Sequence, residues 1–167
     1  RDDRGLCAFV PLHDPAAVAA TWQVPLGQLA SVVLSGTPGY GQPPGAVEAI
    51  GAARAAGEHG RVVRLDVGSL HVVVAERAPL PIHPRFWRAV GLAPRAADLI
   101  VQKNFFHYRM FYLTHSFRHL PVVSQGATSL ERVRARHYRV PTWPGARLDD
   151  WRPYDPLLRA GAGEARP

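Results

Sequence analysis

Lysine is almost missing from this chain. Of twenty basic residues one, Lys103, is lysine and the others are arginine. Cysteine is as scarce: Cys7 stands alone, so no disulfide can close within the chain. It sits in a short apolar stretch that offers no reason for a nucleophile. No apolar run approaches membrane-spanning length. Zinc-finger spacings and RNA-binding aromatic signatures are also lacking. Acidic residues are outnumbered, leaving a net charge of +7 and a pI near 10.5. That balance permits nucleic acid or anionic ligands. The arginines are scattered, however, and the densest group (Arg132, Arg134, Arg136, Arg139) alternates with apolar residues. The charge therefore reads as solubility plus a coding bias toward arginine, with neither nucleic acid nor membrane as the expected partner. The opening Arg-Asp-Asp-Arg-Gly is not a signal peptide, and no Met precedes it. The expectation is a piece of a longer protein in a cytoplasmic, reducing compartment.

What the chain does have is core material. Hydrophobic residues make up 47% of 167, enough for one domain with a real interior. Asp14-Pro15 predicts a helix start, a carboxylate cap followed by proline in the first turn, with a short helix over 16–21. Residues 29–34 read as a strand and 37–45 as a loop rich in glycine and proline. The Ala-rich stretch 47–56 predicts a helix that Gly51 weakens. Residues 62–67 and 70–75 read as two strands joined by a hairpin turn at Gly68-Ser69. A helix is expected from His83-Pro84 to Val90, stopped by Gly91. A buried strand at 98–102, a helix at 105–113 and a short strand at 120–124 follow. Thr128 and Glu131 have the spacing of a capping box at the start of a further helix. Trp143 and Trp151 are expected to pin the C-terminal segment to the core. Strands alternating with helices predict a mixed α/β domain: a mixed β-sheet with a hairpin, covered by helices. The layout expected is a lead-in over 1–9, the domain over 10–145, and a Pro/Gly-rich, partly disordered tail over 146–167.

The solitary lysine opens the densest polar-aromatic run, Lys103-Asn104-Phe105-Phe106-His107-Tyr108-Arg109, directly after apolar Leu99-Ile100-Val101. A strand delivering such residues to a helix start gathers backbone N–H groups and polar side chains, which suits a carboxylate, phosphate or oxyanion. Lysine offers a compact ammonium where arginine offers a planar fork. The competing interpretation is an ordinary strand–helix junction with a capping Asn104 and a half-buried His107. His115 and His119 have an i, i+4 spacing that zinc sites use, but no acidic third ligand lies nearby and exposed histidines are expected instead. The glycines at 36, 39 and 41 do not make a P-loop, since no Gly-Lys-Ser/Thr ends the run. Ser124-Gln125-Gly126 lacks the flanks of a nucleophile elbow.

Taken in order, several motifs resemble the C-terminal domain of the microcystinase C (MlrC-like) metallopeptidase family. They are Asp14-Pro15-Ala16-Ala17, Val32-Val33-Leu34-Ser35-Gly36, Gly41-Gln42-Pro43, and the hairpin Leu65-Asp66-Val67-Gly68-Ser69-Leu70-His71-Val72-Val73. Later come His83-Pro84-Arg85-Phe86 with Val90-Gly91-Leu92, the Lys103 to Tyr112 run, and Arg139-Val140-Pro141-Thr142-Trp143-Pro144. The Lys103 run is the most specific of these, resembling a family Lys-Ser-x-x-His-Phe-Arg pattern with Asn104 in the serine's place. The resemblance implies a two-domain, zinc-dependent peptide or amide hydrolase whose metal ligands lie in a larger N-terminal domain. No catalytic residue, metal ligand or cofactor is then expected in this chain alone. Zinc belongs to the absent N-terminal domain, which would partner this one in cis or trans. Lys103, Asn104, His107 and Arg109 would contact the peptide or amide substrate at its carboxylate or a tetrahedral oxyanion. The rival reading is a non-catalytic binding module for an anionic small molecule or a partner protein.

Overall fold

The computed structural model describes residues 5–36, 43–103, 107–122, 129 and 135. Residues 1–122 form one compact unit and hold every element described below; residues 123–167 form another. Six strands make one open, mixed sheet: β1 (Ala8–His13), β2 (Leu29–Leu34), β3 (Gly45–Gly57), β4 (Gly60–Val67), β5 (Leu70–Ala75) and β6 (Leu99–Ile100). Their order across the sheet is β2-β3-β4-β5-β1-β6. The β2 to β5 pairings are antiparallel, whereas β1 lies parallel to both β5 and β6. Three short helices, α1 (Pro15–Thr21), α2 (Arg85–Arg88) and α3 (Tyr108–Tyr112), cover it sparsely. The mixed α/β class and the hairpin are as the sequence implies.

The two-residue side-chain period splits the core into two layers. On one face Val63, Leu65, Val72 and Val74 pack with Ala17 and Val18 of α1. On the other, Phe9, Val62, Val73 and Ala75 pack with Phe86 and Trp87 of α2 and Tyr112 of α3. Gly68 closes the hairpin between β4 and β5 with φ 59, a left-handed conformation that a Cβ resists.

Several sequence expectations are corrected. The Ala-rich stretch 47–56 is not a helix but the middle of β3, a 13-residue strand paired on both sides. Alanine's helical preference is worth tenths of a kcal/mol per residue, and two ladders of neighbours override it. A bulge between Gly51 and Ala53 changes the parity of the strand. Val47 and Ala49 therefore face the α1 layer, while Ala53 and Ala55 face the α2 layer. The strand expected over 98–102 shrinks to Leu99–Ile100 at a sheet edge, and Leu99 is exposed. Residues 120–122 form no strand. The helix expected from His83-Pro84 to Val90 is a single turn, Arg85–Arg88, continued by turns to Gly91. The helix expected over 105–113 is helical at Tyr108–Tyr112. Strand β1 was not anticipated, because Val10-Pro11-Leu12 gives little alternation and Pro11 argues against an interior strand. The capping box at Thr128, the tryptophans at 143 and 151 and the tail lie outside the described residues.

Candidate functional site

Strand β6 leads into the Lys103 segment. Its start is locked to β1: the Asp98 backbone N–H donates to the Cys7 carbonyl at 2.9 Å, and the Cys7 N–H donates to Asp98 Oδ2 at 2.9 Å. The Cys7 thiol is pushed up from its ordinary pKa by burial and by the Asp98 and Asp66 carboxylates, so it stays protonated at neutral pH. The far end of the segment is held by α3. Five residues cannot sustain a helix alone. Tyr112 anchors it: Trp87 Nε1–H donates to the Tyr112 hydroxyl at 2.7 Å, and that hydroxyl lies 3.4 Å from the Pro81 carbonyl. Both rings are buried, which pushes the Tyr112 phenol above its usual range although the Trp87 bond opposes the shift.

Between these anchors Lys103, His107 and Arg109 are all solvent-exposed. Asn104 lies outside the described residues. No carboxylate among the described residues pairs with Lys103 or Arg109. His107 sits at the N-cap position of α3 and makes no side-chain cap bond there. With a helix this short, the backbone adds little to anion binding, so recognition would rest on the side chains. Next to Lys103, the Gln102 carboxamide is shielded from water. It lies near enough to Tyr112 to influence its phenol, yet neither end is in hydrogen-bonding geometry with a described partner. Beyond the segment the chain exposes Met110, Phe111, Leu113, Phe117, Leu120 and Val122 in close succession.

The two histidines spaced for zinc do not share a helix turn, because α3 stops at Tyr112. They are half-buried, not exposed: His115 lies 3.1 Å from Thr114 Oγ1, and His119 lies 3.4 Å from Ser116 Oγ. Among the described residues no three His, Cys, Asp or Glu side chains converge to hold a metal ion.

One polar cluster was overlooked in the sequence. Asp66 and His71 oppose each other across the hairpin, with Oδ1 and Nδ1 2.7 Å apart. Arg64 donates from Nη2 to Asp66 Oδ2 at 3.1 Å and from Nη1 to the Val90 carbonyl at 3.0 Å. The signal was present: 66 and 71 are symmetric about the turn at Gly68-Ser69, so their side chains share a face. This arrangement ties the hairpin to the end of α2.

The MlrC C-terminus family model matches residues 3–139. The chain belongs to that family. A solved structure from Mesorhizobium sp. BNC1, provisionally named a metallopeptidase, superposes with a TM-score of 0.71 at 18% identity. The match covers 90% of this chain and 33% of that one, so the MlrC C-terminal domain spans about a third of that protein's length. At this identity the likeness establishes the fold. No curated protein matches. Among the described residues no helix is long and apolar enough to cross a membrane.

Proposed function

We propose that this MlrC C-terminal domain completes the substrate cleft of a zinc-dependent peptide or amide hydrolase, with the metal held by a preceding domain. The observation that carries the proposal is the junction after β6. Exposed Lys103, His107 and Arg109 are followed at once by six exposed large apolar side chains from Met110 to Val122. Soluble domains seldom leave such a succession uncovered without a partner surface. A second domain packed here would cover the apolar residues and leave the charges at the rim of the joint.

In this reading the reaction's water activation belongs to the other domain, and this chain binds and orients. Lys103 supplies a mobile point charge to a substrate carboxylate or developing oxyanion. Arg109 has the fork geometry for a bidentate carboxylate clamp. His107 donates or relays a proton at the same rim. Asn104, in place of the family serine, offers an amide donor. The domain acts in the cytoplasm.

The test is peptide hydrolysis by the longer protein containing the preceding domain, with zinc supplied. Lys103→Ala should lower kcat/KM by roughly 10- to 100-fold, the value of one charge-assisted hydrogen bond. Unchanged turnover would remove Lys103 from the site.

A further inference from the structure

A second cationic cluster lies apart from the Lys103 rim. The end of α2, the 3-10 turn Pro94–Ala96 and the turn after α3 surround an open depression of about 360 Å³. Arg88, Arg95 and His115 supply its polar wall, and Leu92, Ala93 and Pro94 its apolar one. Arg88 Nη2 lies 3.3 Å from His115 Nε2. Thr114 Oγ1 lies 3.1 Å from His115 Nδ1, and Arg95 Nε donates to the Thr114 carbonyl at 3.2 Å. Both imidazole nitrogens are therefore engaged, and both guanidinium groups are oriented toward one turn.

No carboxylate among the described residues balances this charge. Arg61, Arg64 and Arg85 are treated differently: each has an acidic partner, Glu76, Asp66 and Glu58 respectively. Asp98, the acidic residue nearest in sequence, is occupied with the Cys7 backbone. Two positive groups thus converge on a wall they share with a neutral imidazole. His115 is held below the ordinary histidine pKa by burial and by the Arg95 and Arg88 charges. Arg88 faces it from α2, Arg95 from the 3-10 turn, and the Tyr112 ring from α3 at 6.0 Å between centroids. Repulsion of this kind is relieved most simply by an anion.

We propose that this depression binds a small organic oxyanion, a carboxylate or phosphate head on a short apolar body. Arg88 and Arg95 grip the head as forked donors, and the Leu92–Ala93–Pro94 wall takes the body. The volume suits a small molecule. His115 couples the site to pH. Neutral, its Nε2 can accept from Arg88; protonated, it repels Arg88 and itself becomes a donor toward the anion. A bound anion raises the His115 pKa, so affinity rises as pH falls through the histidine range. The proposal does not depend on the cleft reading.

The test uses the 167-residue chain in a phosphate-free buffer. Histidine ring resonances are followed by NMR while inorganic phosphate, and separately hexanoate, is added at constant ionic strength. The expected result is saturable movement of His115, with His13 and His59 unmoved, and a His115 titration displaced to higher pH at saturation. Arg88→Gln and Arg95→Gln should each weaken binding roughly tenfold, and Arg88→Lys should weaken it less. Saturation by phosphate alone assigns a phosphate head; saturation by hexanoate alone assigns a carboxylate. Both residues are exposed, so the variants should keep the wild-type far-ultraviolet circular dichroism. An equal effect from chloride, movement that never saturates, or unchanged binding in both Gln variants would overturn the site. None of those outcomes bears on Lys103, whose readout is hydrolysis.

Discussion

Removing one hydroxyl should loosen the segment that carries the candidate cleft residues. Tyr112→Phe keeps the ring and its packing but deletes the acceptor of the Trp87 Nε1–H bond at 2.7 Å. Trp87 is 0% exposed and Tyr112 2%, so water cannot replace the lost partner. A hydrogen bond exchanged with water is worth about 1 kcal/mol, whereas a buried donor left unsatisfied costs about 1–3 kcal/mol. Burial at both ends places this case in the upper part of that range, about 2 kcal/mol. Trp87→Phe in the Tyr112→Phe background should then recover part of the hydrogen-bond loss, because the orphaned donor goes with the indole. Urea unfolding of the chain and its variants measures this as a fall in the midpoint with an unchanged m-value. Alkaline pH gives an independent check. The phenol's folded pKa is raised, so the folded state keeps its proton where the unfolded chain has lost it. Tyr112 therefore contributes a loss of stability as pH rises from the ordinary tyrosine range toward the raised value, and Tyr112→Phe should lack that slope. A cost under about 0.5 kcal/mol, the level of an ordinary surface change, would refute the claim that this bond anchors α3.

Other expectations follow from the same geometry. Asp14 caps α1 by accepting from the Ala17 N–H at 3.0 Å and also accepts from the Ser35 N–H at 2.6 Å and hydroxyl at 2.9 Å. Asp14→Ala should cost about 2–4 kcal/mol by chemical denaturation, a lost cap plus stranded donors. Burial alone would raise the Asp14 pKa, but the Ser35, Ala17 and Ala16 hydrogen bonds outweigh it and the net shift is downward. Its stabilisation is present above the ordinary aspartate pKa and is lost as pH falls through the lowered one, which an acid titration of wild type against Asp14→Asn should show. Deleting Ala52 removes the bulge yet leaves Gly51 opposite Leu65 and the next residue, Ala53, opposite Arg64, so both faces of the strand are kept and cooperative thermal unfolding should persist. Deleting Ala55 would instead swap the faces beyond it and should weaken that transition. Gly68→Val forces a branched side chain to φ 59 and should lower stability by about 1–2 kcal/mol in the same assay.

The legible parts of this fold were those where local chemistry and tertiary need coincide. Asp14-Pro15 predicts a cap and a first turn, and the structure has both. The alternation on either side of Gly68-Ser69 predicts the hairpin, and β4 and β5 follow it residue by residue. The Lys103 segment could be singled out by residue type, and the structure exposes Lys103, His107 and Arg109 together on one short stretch. The depression between Arg88, Arg95 and His115 was not legible, because its residues come from three turns that no local pattern connects.

The amino-acid order determined the capped helix, the hairpin and the family likeness, since each depends on neighbours within a few positions or on motifs in series. Tertiary structure decided that the alanine-rich stretch is β3, because its two flanking strands supply ladders and packing that outweigh a helical preference of tenths of a kcal/mol per residue. It also decided that β1, Ala8–His13, enters the sheet between β5 and β6. A strand hydrogen-bonded to remote partners on both edges is specified by those partners, not by its own alternation.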